Sequence, residues 1–342
     1  IIGVKEERGS VSNKGCAKAP EFVRTYLYNL KTTGENVSIF DLGDINPGHS
    51  IEDTYFALAT VSRELIKANI IPLIIGGSQD LTFAQYCAYE QLDQMINIVS
   101  VDSSFDLGVY ESRITSANYF SKILIHQPNI LFNYSNIGYQ SYFETKETVN
   151  MMDELYFDVH RLGNVSGNIE ETEPVIRNAD LLSFDISSIR HSDAPGNKNV
   201  SPNGLYCEEA CQISRYAGFS DNLTSIGFYE INPDIDFKNQ TSHLAAQMIW
   251  YFIEGYSCRK KDVPGKGTSF HKYNVSAKKD GHEIIFYKSI NSERWWMEIP
   301  EQLRKGKYSR RHLIPCSYAD YQIACQEEIP ERWWLAYKKL VS

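Results

Sequence analysis

The chain has 342 residues, 42% of them hydrophobic and 23% charged, a balance that can bury a sizeable core and excludes a disordered or fibrous protein. Its formal net charge of -9 hides an asymmetry: from Ser257 onward lie 17 of the 34 Lys and Arg but only 10 of the 43 Asp and Glu, so an acidic body carries a basic tail. No apolar stretch reaches the roughly 18 residues that a membrane span needs; the longest, around Ala245 to Ile253, is interrupted by Gln247, and no membrane association is expected.

Along the body, short apolar runs alternate with amphipathic stretches, the pattern of parallel strands joined by crossover helices. Strands are predicted at 1–4, 37–41, 70–75, 96–102, 130–136, 181–186 and 223–229, and helices at 20–30, 51–68, 81–92, 170–178, 208–218 and 241–254. That order predicts one doubly wound, mostly parallel sheet with helices on both faces. Ligands of such sheets bind outside the carboxyl ends of the strands. Four runs end there in polar or glycine-rich residues: Gly76-Gly77, Asp102, Asp185 and Glu230.

After about Gly255 the pattern changes to a Lys/Gly-rich linker over 259–266, a strand-like stretch over 283–289 and an aromatic, basic tail. Four of the five tryptophans fall there, in two Arg-Trp-Trp copies at Arg294 to Trp296 and Arg332 to Trp334 that read as a weak internal echo. The chain is accordingly divided into a body, 1–255, and an extension, 256–342. The extension is read as cover for one face of the body, with docking of a protein partner as the alternative. No recognisable nucleic-acid module accompanies its Trp and Lys/Arg, so a nucleic-acid partner is not expected.

Seven cysteines, odd in number and without paired spacing, fit a reducing compartment, and a cytoplasmic location is expected. Cys207 and Cys211 share a helical face, yet no second Cys/His pair follows at zinc-site spacing. Ile1 opens directly into a strand-like run with no signal pattern ahead of it, and the chain reads as one that lacks upstream residues. His49 and His160 stand alone in sequence and read as surface or hydrogen-bonded groups, not ligands. Gly76-Gly77 is too short for a phosphate loop, and Ser78 and Ser104 have no histidine nearby to make a nucleophile.

Three segments carry the chemistry: Gly76-Gly77-Ser78-Gln79-Asp80, Asp102-Ser103-Ser104-Phe105-Asp106, and Ser183-Phe184-Asp185-Ile186-Ser187-Ser188-Ile189-Arg190 running into Ala194-Pro195-Gly196. They resemble, in order and without gaps, the metal-binding motifs of the arginase family, or ureohydrolases: Gly-Gly-Asp-His-Ser, Asp-Ala-His-x-Asp, and Ser-x-Asp-x-Asp-x-x-Asp-Pro followed by Ala-Pro-Gly. Gly15 to Arg24, Pro202-Asn203-Gly204-Leu205, and Glu230-Ile231-Asn232-Pro233 with Asp236, Thr241 and Ala245-Ala246 are similar to further family signatures. The resemblance covers residues 1 to 255. It implies a three-layer αβα sandwich and homo-oligomeric assembly. It also implies a pocket for a small guanidino or formimidoyl ligand, whose cationic group Glu230 would grip.

Family chemistry needs two divalent ions, usually manganese, about 3.5 to 4 Å apart and bridged by the attacking hydroxide. Two histidines and four aspartates hold them. Carried over one at a time, the first histidine falls on Gln79 and the second on Ser104; Asp102, Asp106 and Asp185 are kept, and the fourth aspartate falls on Ser187. Oxygen donors alone suit one hard cation better than a close pair of transition ions. Without any cation, carboxylates about 5 Å apart repel by about 3 kcal/mol per pair at an effective dielectric near 20. Arg190, standing where the family has an acid, is the preferred internal counter-charge. Protonation of one acid, or a single hard ion held with Gln79, are the alternatives. The expected function is a ureohydrolase-like protein that has lost the dimetal hydrolytic step and keeps a binding or scaffold role, with no cofactor. The alternative is an active formimidoylglutamase- or agmatinase-like hydrolase of C–N bonds that recruits one divalent cation (Mg, Ca or Mn) through Asp102, Asp106, Asp185 and Gln79.

Overall fold

The computed structural model describes residues 1–32, 37–92, 94–109, 113–264, 269–277, 282–300 and 313–341. Eight strands build the central sheet: β1 (Ile2–Val4), β2 (Asp44–Ile45), β3 (Leu73–Ile75), β4 (Ile96–Val101), β5 (Leu131–Tyr139), β6 (Asp158–Arg161), β7 (Leu181–Asp185) and β8 (Ser225–Tyr229). They lie in the order β2-β1-β3-β8-β7-β4-β5-β6. Every neighbouring pair is parallel, because each strand returns through a crossover.

Among the described residues, nine α-helices of the body pack on the two faces: α1 (Ala19–Leu27), α2 (Ile51–Lys67), α3 (Leu81–Cys87), α4 (Tyr119–Ile125), α5 (Lys146–Glu154), α6 (Leu162–Gly167), α7 (Thr172–Arg177), α8 (Cys207–Phe219) and α9 (Gln240–Ser257). Successive strand side chains point to opposite faces. Leu73, Ile75, Val99, Val101, Leu182 and Phe184 thus pack with α1, α7, α8 and α9, whereas Ile74, Ile98 and Leu181 between them pack with α2, α3 and α4. This is the three-layer α/β sandwich expected, with continuous apolar strands because both faces are covered. Local signals agree with it. At the start of α2, Ser50 Oγ accepts from Asp53 N at 3.2 Å and the Asp53 carboxylate accepts from Ser50 N at 2.7 Å, a reciprocal cap whose serine is worth about 1 kcal/mol.

Two strand expectations are corrected. Residues 37–41 form no strand: Ile39 and Phe40 are 51% and 68% exposed, and Asp41 is held by Arg24 and Tyr28. The edge position beside β1 goes instead to Asp44–Ile45. At the other edge, β6 is a strand that the sequence did not announce. Its Asp-Val-His-Arg has no apolar alternation; it is held by backbone pairing to β5, by Asn133 and Ser135 donating to Asp158, and by Val159 packing on the core.

Beyond α9, which runs through Ser257, a second sheet of β9 (Phe270–Ala277), β10 (His282–Ser289), β11 (Trp295–Glu298) and β12 (Leu313–Cys316) is antiparallel in the order β12-β11-β10-β9. It is followed by α10 (Tyr318–Cys325) and α11 (Glu331–Val341). Residues 265–266 of the expected linker lie outside the described residues. The extension has its own cluster of buried side chains, Ile284, Phe286, Trp295, Met297 and Trp333 among them. The two Arg-Trp-Trp triplets are no echo: the first lies on a strand and the second on a helix, and they fill different places. Buried Arg177 of α7 donates to the carbonyls of Trp295 and Cys316, both at 3.1 Å, and lies under the Trp296 ring. Arg332 joins Asp320 to Glu171. Between extension and sheet lies a cavity of about 580 Å³ lined by Asn133, Asp158, His160 and Lys339 among others. Among the described residues, no helix is long and apolar enough to cross a membrane.

Candidate functional site

The carboxyl end of β3 runs into Gly76-Gly77, and here glycine is required by space. A Cβ on Gly77 would sit 1.7 Å from the Glu6 carbonyl oxygen, and one on Gly76 would sit 2.3 Å from the Tyr229 ring. The tight turn delivers Gln79 into the interior. Its backbone N–H donates to Glu230 Oε1 at 2.9 Å and its Nε2 donates to Tyr119 Oη at 3.2 Å, while its buried Oε1 has no partner.

Asp102 follows β4 and Asp185 ends β7, neighbours in the sheet, so both carboxylates emerge at the same edge. Asp102 is buried; its Oδ1 accepts from Ser104 N at 3.1 Å, and the Gln79 and Asp106 side chains lie within hydrogen-bonding reach of its carboxyl group. Half-buried Asp106 takes a left-handed backbone (φ 52°) and accepts from Ser104 Oγ at 3.1 Å. Asp185 Oδ1 accepts from Ser187 N at 2.6 Å. The two serines found where the family has metal ligands therefore serve as local hydrogen-bond donors to the remaining acids.

Glu230 caps the edge from β8. Its left-handed backbone (φ 64°) is a conformation that costs a non-glycine residue of order 1–3 kcal/mol. It is pinned by Glu230 N donating to Gly77 O, and by Asn13 and Asn197 donating to Glu230 O. Asn13 Nδ2 also reaches Glu230 Oε2 at 2.8 Å. The carboxylate is thus aimed by two donors, one on each oxygen.

The electrostatics follow from this crowding. Burial pushes Asp106 and Glu230 up to about 8, with the charge of Asp185 adding to both. Burial, then Asp106, holds Asp102 well above the carboxylate range, and burial, then Asp102, does the same to Asp185. Asp80 is raised to about 6 by burial although Ser78 and Tyr55 bond to it. The charged groups that act on the four central acids are one another and, on Glu230, Asp80.

Arg190 does not supply the missing charge, and that expectation is corrected. Its guanidinium lies outside the cluster, 2.9 Å from Asp193 and stacked on the Tyr206 ring. The helix-capping carboxylate of Asp193, which also accepts from Cys207 N, is nearer and better exposed to solvent than the buried acids, so the arginine pairs there at lower desolvation cost. His191 is exposed and His49 likewise; neither joins the acids. Cys211 packs in the core.

Several residues that hold the site carry no sequence signal that was read. Asn13 lies 217 positions from the Glu230 it orients, and Tyr119, which fixes Gln79, comes from α4. The segment after β8 is scaffold. Asp236 accepts from Thr241 N and Ser242 N at the start of α9, Thr241 Oγ1 accepts from Gly196 N at 2.7 Å, and Asn232 N donates to Gly196 O. Only the family resemblance made those positions visible beforehand.

The donor set decides which ion the site fits. All side-chain donors are oxygens, which suits one hard or intermediate cation such as Mg2+, Mn2+ or Ca2+. Among the described residues no imidazole joins them, so the set fits a close pair of softer transition ions less well. The oxygens of Asp102, Asp106 and Asp185 do not all lie within 4.8 Å of one another, in contrast to two other groups among the described residues.

Comparison with known proteins agrees with this architecture. The family described as "Arginase family" matches residues 1–254. The chain is 29% identical over 267 residues to a formimidoylglutamase of Staphylococcus haemolyticus, a match covering 74% of this chain and 85% of that protein. Among solved structures it is similar to the formimidoylglutamase of Bacillus subtilis, with a TM-score of 0.68, 22% identity, and 76% and 87% of the two chains covered. It is also similar to Trypanosoma cruzi formiminoglutamase with Mn2+2, with a TM-score of 0.70, 20% identity, and 75% and 93% covered. The chain belongs to the arginase family. The expectation that it uses no cofactor is corrected by the manganese-bound neighbour of the same fold.

Proposed function

We propose that the chain is a formimidoylglutamase-like hydrolase that cleaves a C–N bond of a small formimidoyl or guanidino compound with the help of one divalent cation. The observation that carries this reading is the convergence of Asp102, Asp106, Asp185 and Glu230 with Gln79 at the carboxyl edge of the sheet, where burial and one another's charge raise all four acids. Crowding buried carboxyls is costly, and a cation held by Asp102, Asp106, Asp185 and Gln79 would offset that cost. When bound, such an ion supplies positive charge that acidifies a water and stabilises negative charge developing on the substrate.

The chain's own groups do the rest. Glu230, its two oxygens held by Asn13 and the Gln79 amide, presents a planar carboxylate to a planar amidinium, which it can meet with two parallel hydrogen bonds. In the metal-free chain burial and the charge of Asp185 raise Glu230 to about 8, and both a bound cation and a cationic substrate favour its ionised form. Tyr119 Oη, 3.2 Å from Gln79 Nε2, anchors the end of the Gln79 side chain. Seven free cysteines support a reducing, cytoplasmic setting, and homo-oligomeric assembly belongs to the same reading.

A second reading keeps the pocket and the ion but not turnover, as a binding or scaffold protein. It is favoured by Gln79, Ser104 and Ser187 at three of the six family ligand positions. The test is release of ammonia, formamide or urea from a panel of formimidoyl and guanidino compounds with added Mn2+. Turnover that disappears in Asp185→Ala is expected; saturable ligand binding without any product selects the second reading.

A further inference from the structure

On the face of the sheet covered by α2, α3 and α4, the chain leaving α3 meets the end of α4, away from the acidic pocket. There the Cys87 sulfur, a Glu90 carboxylate oxygen and a His126 ring nitrogen all lie within 4.8 Å of one another. His126 Nε2 stands 2.8 Å from Glu90 Oε1. The imidazole is oriented by edge contacts with Phe83 and Tyr86, at centroid separations of 5.2 and 6.0 Å. All three residues are half-buried, so their donors are ordered and still reachable from solvent.

We propose that Cys87, Glu90 and His126 bind one divalent ion of the zinc class, with water in the fourth tetrahedral position. The chemistry of the three donors is the reason. Thiolate sulfur, imidazole nitrogen and carboxylate oxygen are the ligand types of tetrahedral zinc, whose bonds of about 2.0 to 2.3 Å place neighbouring donors about 3.3 to 3.8 Å apart. Small side-chain rotations from the observed cluster reach that spacing. A thiolate and a carboxylate carry two negative charges, which one divalent ion neutralises. The sulfur makes the site soft, so it selects zinc or cobalt over magnesium, calcium or manganese, the opposite preference to the oxygen-only pocket.

Without an ion, burial and the Glu90 carboxylate keep the Cys87 thiol protonated, while Lys122 favours the thiolate. Binding therefore expels the thiol proton to solvent. The ion would tie the turn after α3 to the end of α4, 36 positions apart in sequence. Because α3 follows directly from Gln79-Asp80, the tie would also steady one wall of the acidic pocket.

Cobalt reports directly on the sulfur. The purified chain, in excess Mg2+ to occupy oxygen sites, is titrated with Co2+, and the thiolate-to-cobalt charge-transfer absorption is followed. The expected result is a band that saturates at one equivalent and is displaced by Zn2+. It should be absent in Cys87→Ser, shifted to about tenfold or more weaker binding in His126→Ala, and unchanged in Asp185→Asn. Zn2+ should raise the melting temperature of the wild type and of Asp185→Asn but not of Cys87→Ser. A band that survives in Cys87→Ser, or no band and no melting shift at one equivalent, would overturn the proposal and leave a His126–Glu90 hydrogen bond beside a neutral thiol.

Discussion

At the carboxyl edge of the central sheet, Asp102, Asp106, Asp185 and Glu230 are gathered so that the charges acting on them are chiefly each other's. Where the extension packs on α7, buried charge is treated in the opposite way. Arg177 has Glu173 beside it at 3.1 Å and two backbone carbonyls at its other nitrogens, and Arg332 lies between Asp320 and Glu171. In the second region each cation meets acceptors that offset part of what desolvation removed; in the first, the acids are crowded against one another with no cationic side chain of the described residues among them. Uncompensated like charge of this kind belongs to functional sites. The difference separates a place built to hold the molecule together from one built to hold a ligand.

The comparison can be broken most forcefully at the compensated end. Arg177→Met leaves the carbonyls of Trp295 and Cys316 without this donor and Glu173 with Arg294 as its remaining cation, and is expected to cost about 3–5 kcal/mol. Urea denaturation followed by tryptophan fluorescence should show the extension releasing early. A loss under about 1 kcal/mol would mean that the guanidinium is a bystander.

At the acidic end the sign reverses. Asp102→Asn keeps the shape and removes one like charge, so it should stabilise the metal-free protein by about 1–3 kcal/mol, more at pH 8 than at pH 5, while weakening Mn2+ binding in calorimetry. If the substitution destabilises the metal-free protein, the cluster is already compensated.

The same asymmetry predicts a pH dependence. Asp80, Asp106 and Glu230 keep protons in the folded state up to about 6, 8 and 8, whereas in the unfolded chain these acids lose them near pH 4. Between those limits the folded state binds more protons than the unfolded one, so stability falls as pH rises. Thermal melts of metal-free protein should decline from about pH 4 to about pH 8. Saturating Mn2+, which binds the ionised acids, should flatten the slope.

The smallest expected effect is at Arg190. Its half-buried pair with Asp193 lies outside the acid cluster, so Arg190→Ala should change neither Mn2+ affinity nor the pH slope. A steeper slope in that variant would return the arginine to the acid cluster.

Much of the fold was legible in the sequence because six of the eight body strands are apolar runs or carry polar groups at one edge. The exceptions are instructive. The run 37–41 is as apolar as a strand, but Arg24 and Tyr28 capture Asp41 and leave Phe40 facing solvent. Asp158–Arg161 has no apolar alternation and is an edge strand through its pairing to β5 and the bonds that Asn133 and Ser135 make to Asp158. In the extension, one strand was read and three were not, because Trp295-Trp296 gave an aromatic pair where periodicity would have helped.

The site was legible in part for a similar reason. Asp102, Asp106, Asp185, Gln79 and Glu230 end strands or turns, where sequence order alone brings them to one edge. Asn13 and Tyr119 act through contacts distant in sequence, which no local pattern encodes. Arg190 was misplaced because a charge reversal in a motif says nothing about which way the side chain points; Asp193, three residues on, decided that.

The account turns on how many ions the oxygen-only pocket holds. Metal-free protein carrying Cys87→Ser, to silence the sulfur site, should be titrated with Mn2+ by calorimetry and the bound metal counted by elemental analysis after desalting. One Mn2+ per chain, lost in Asp185→Asn, is the predicted result. Two tightly bound ions per chain, both lost in that variant, would contradict it, since a close pair would then be held without any imidazole.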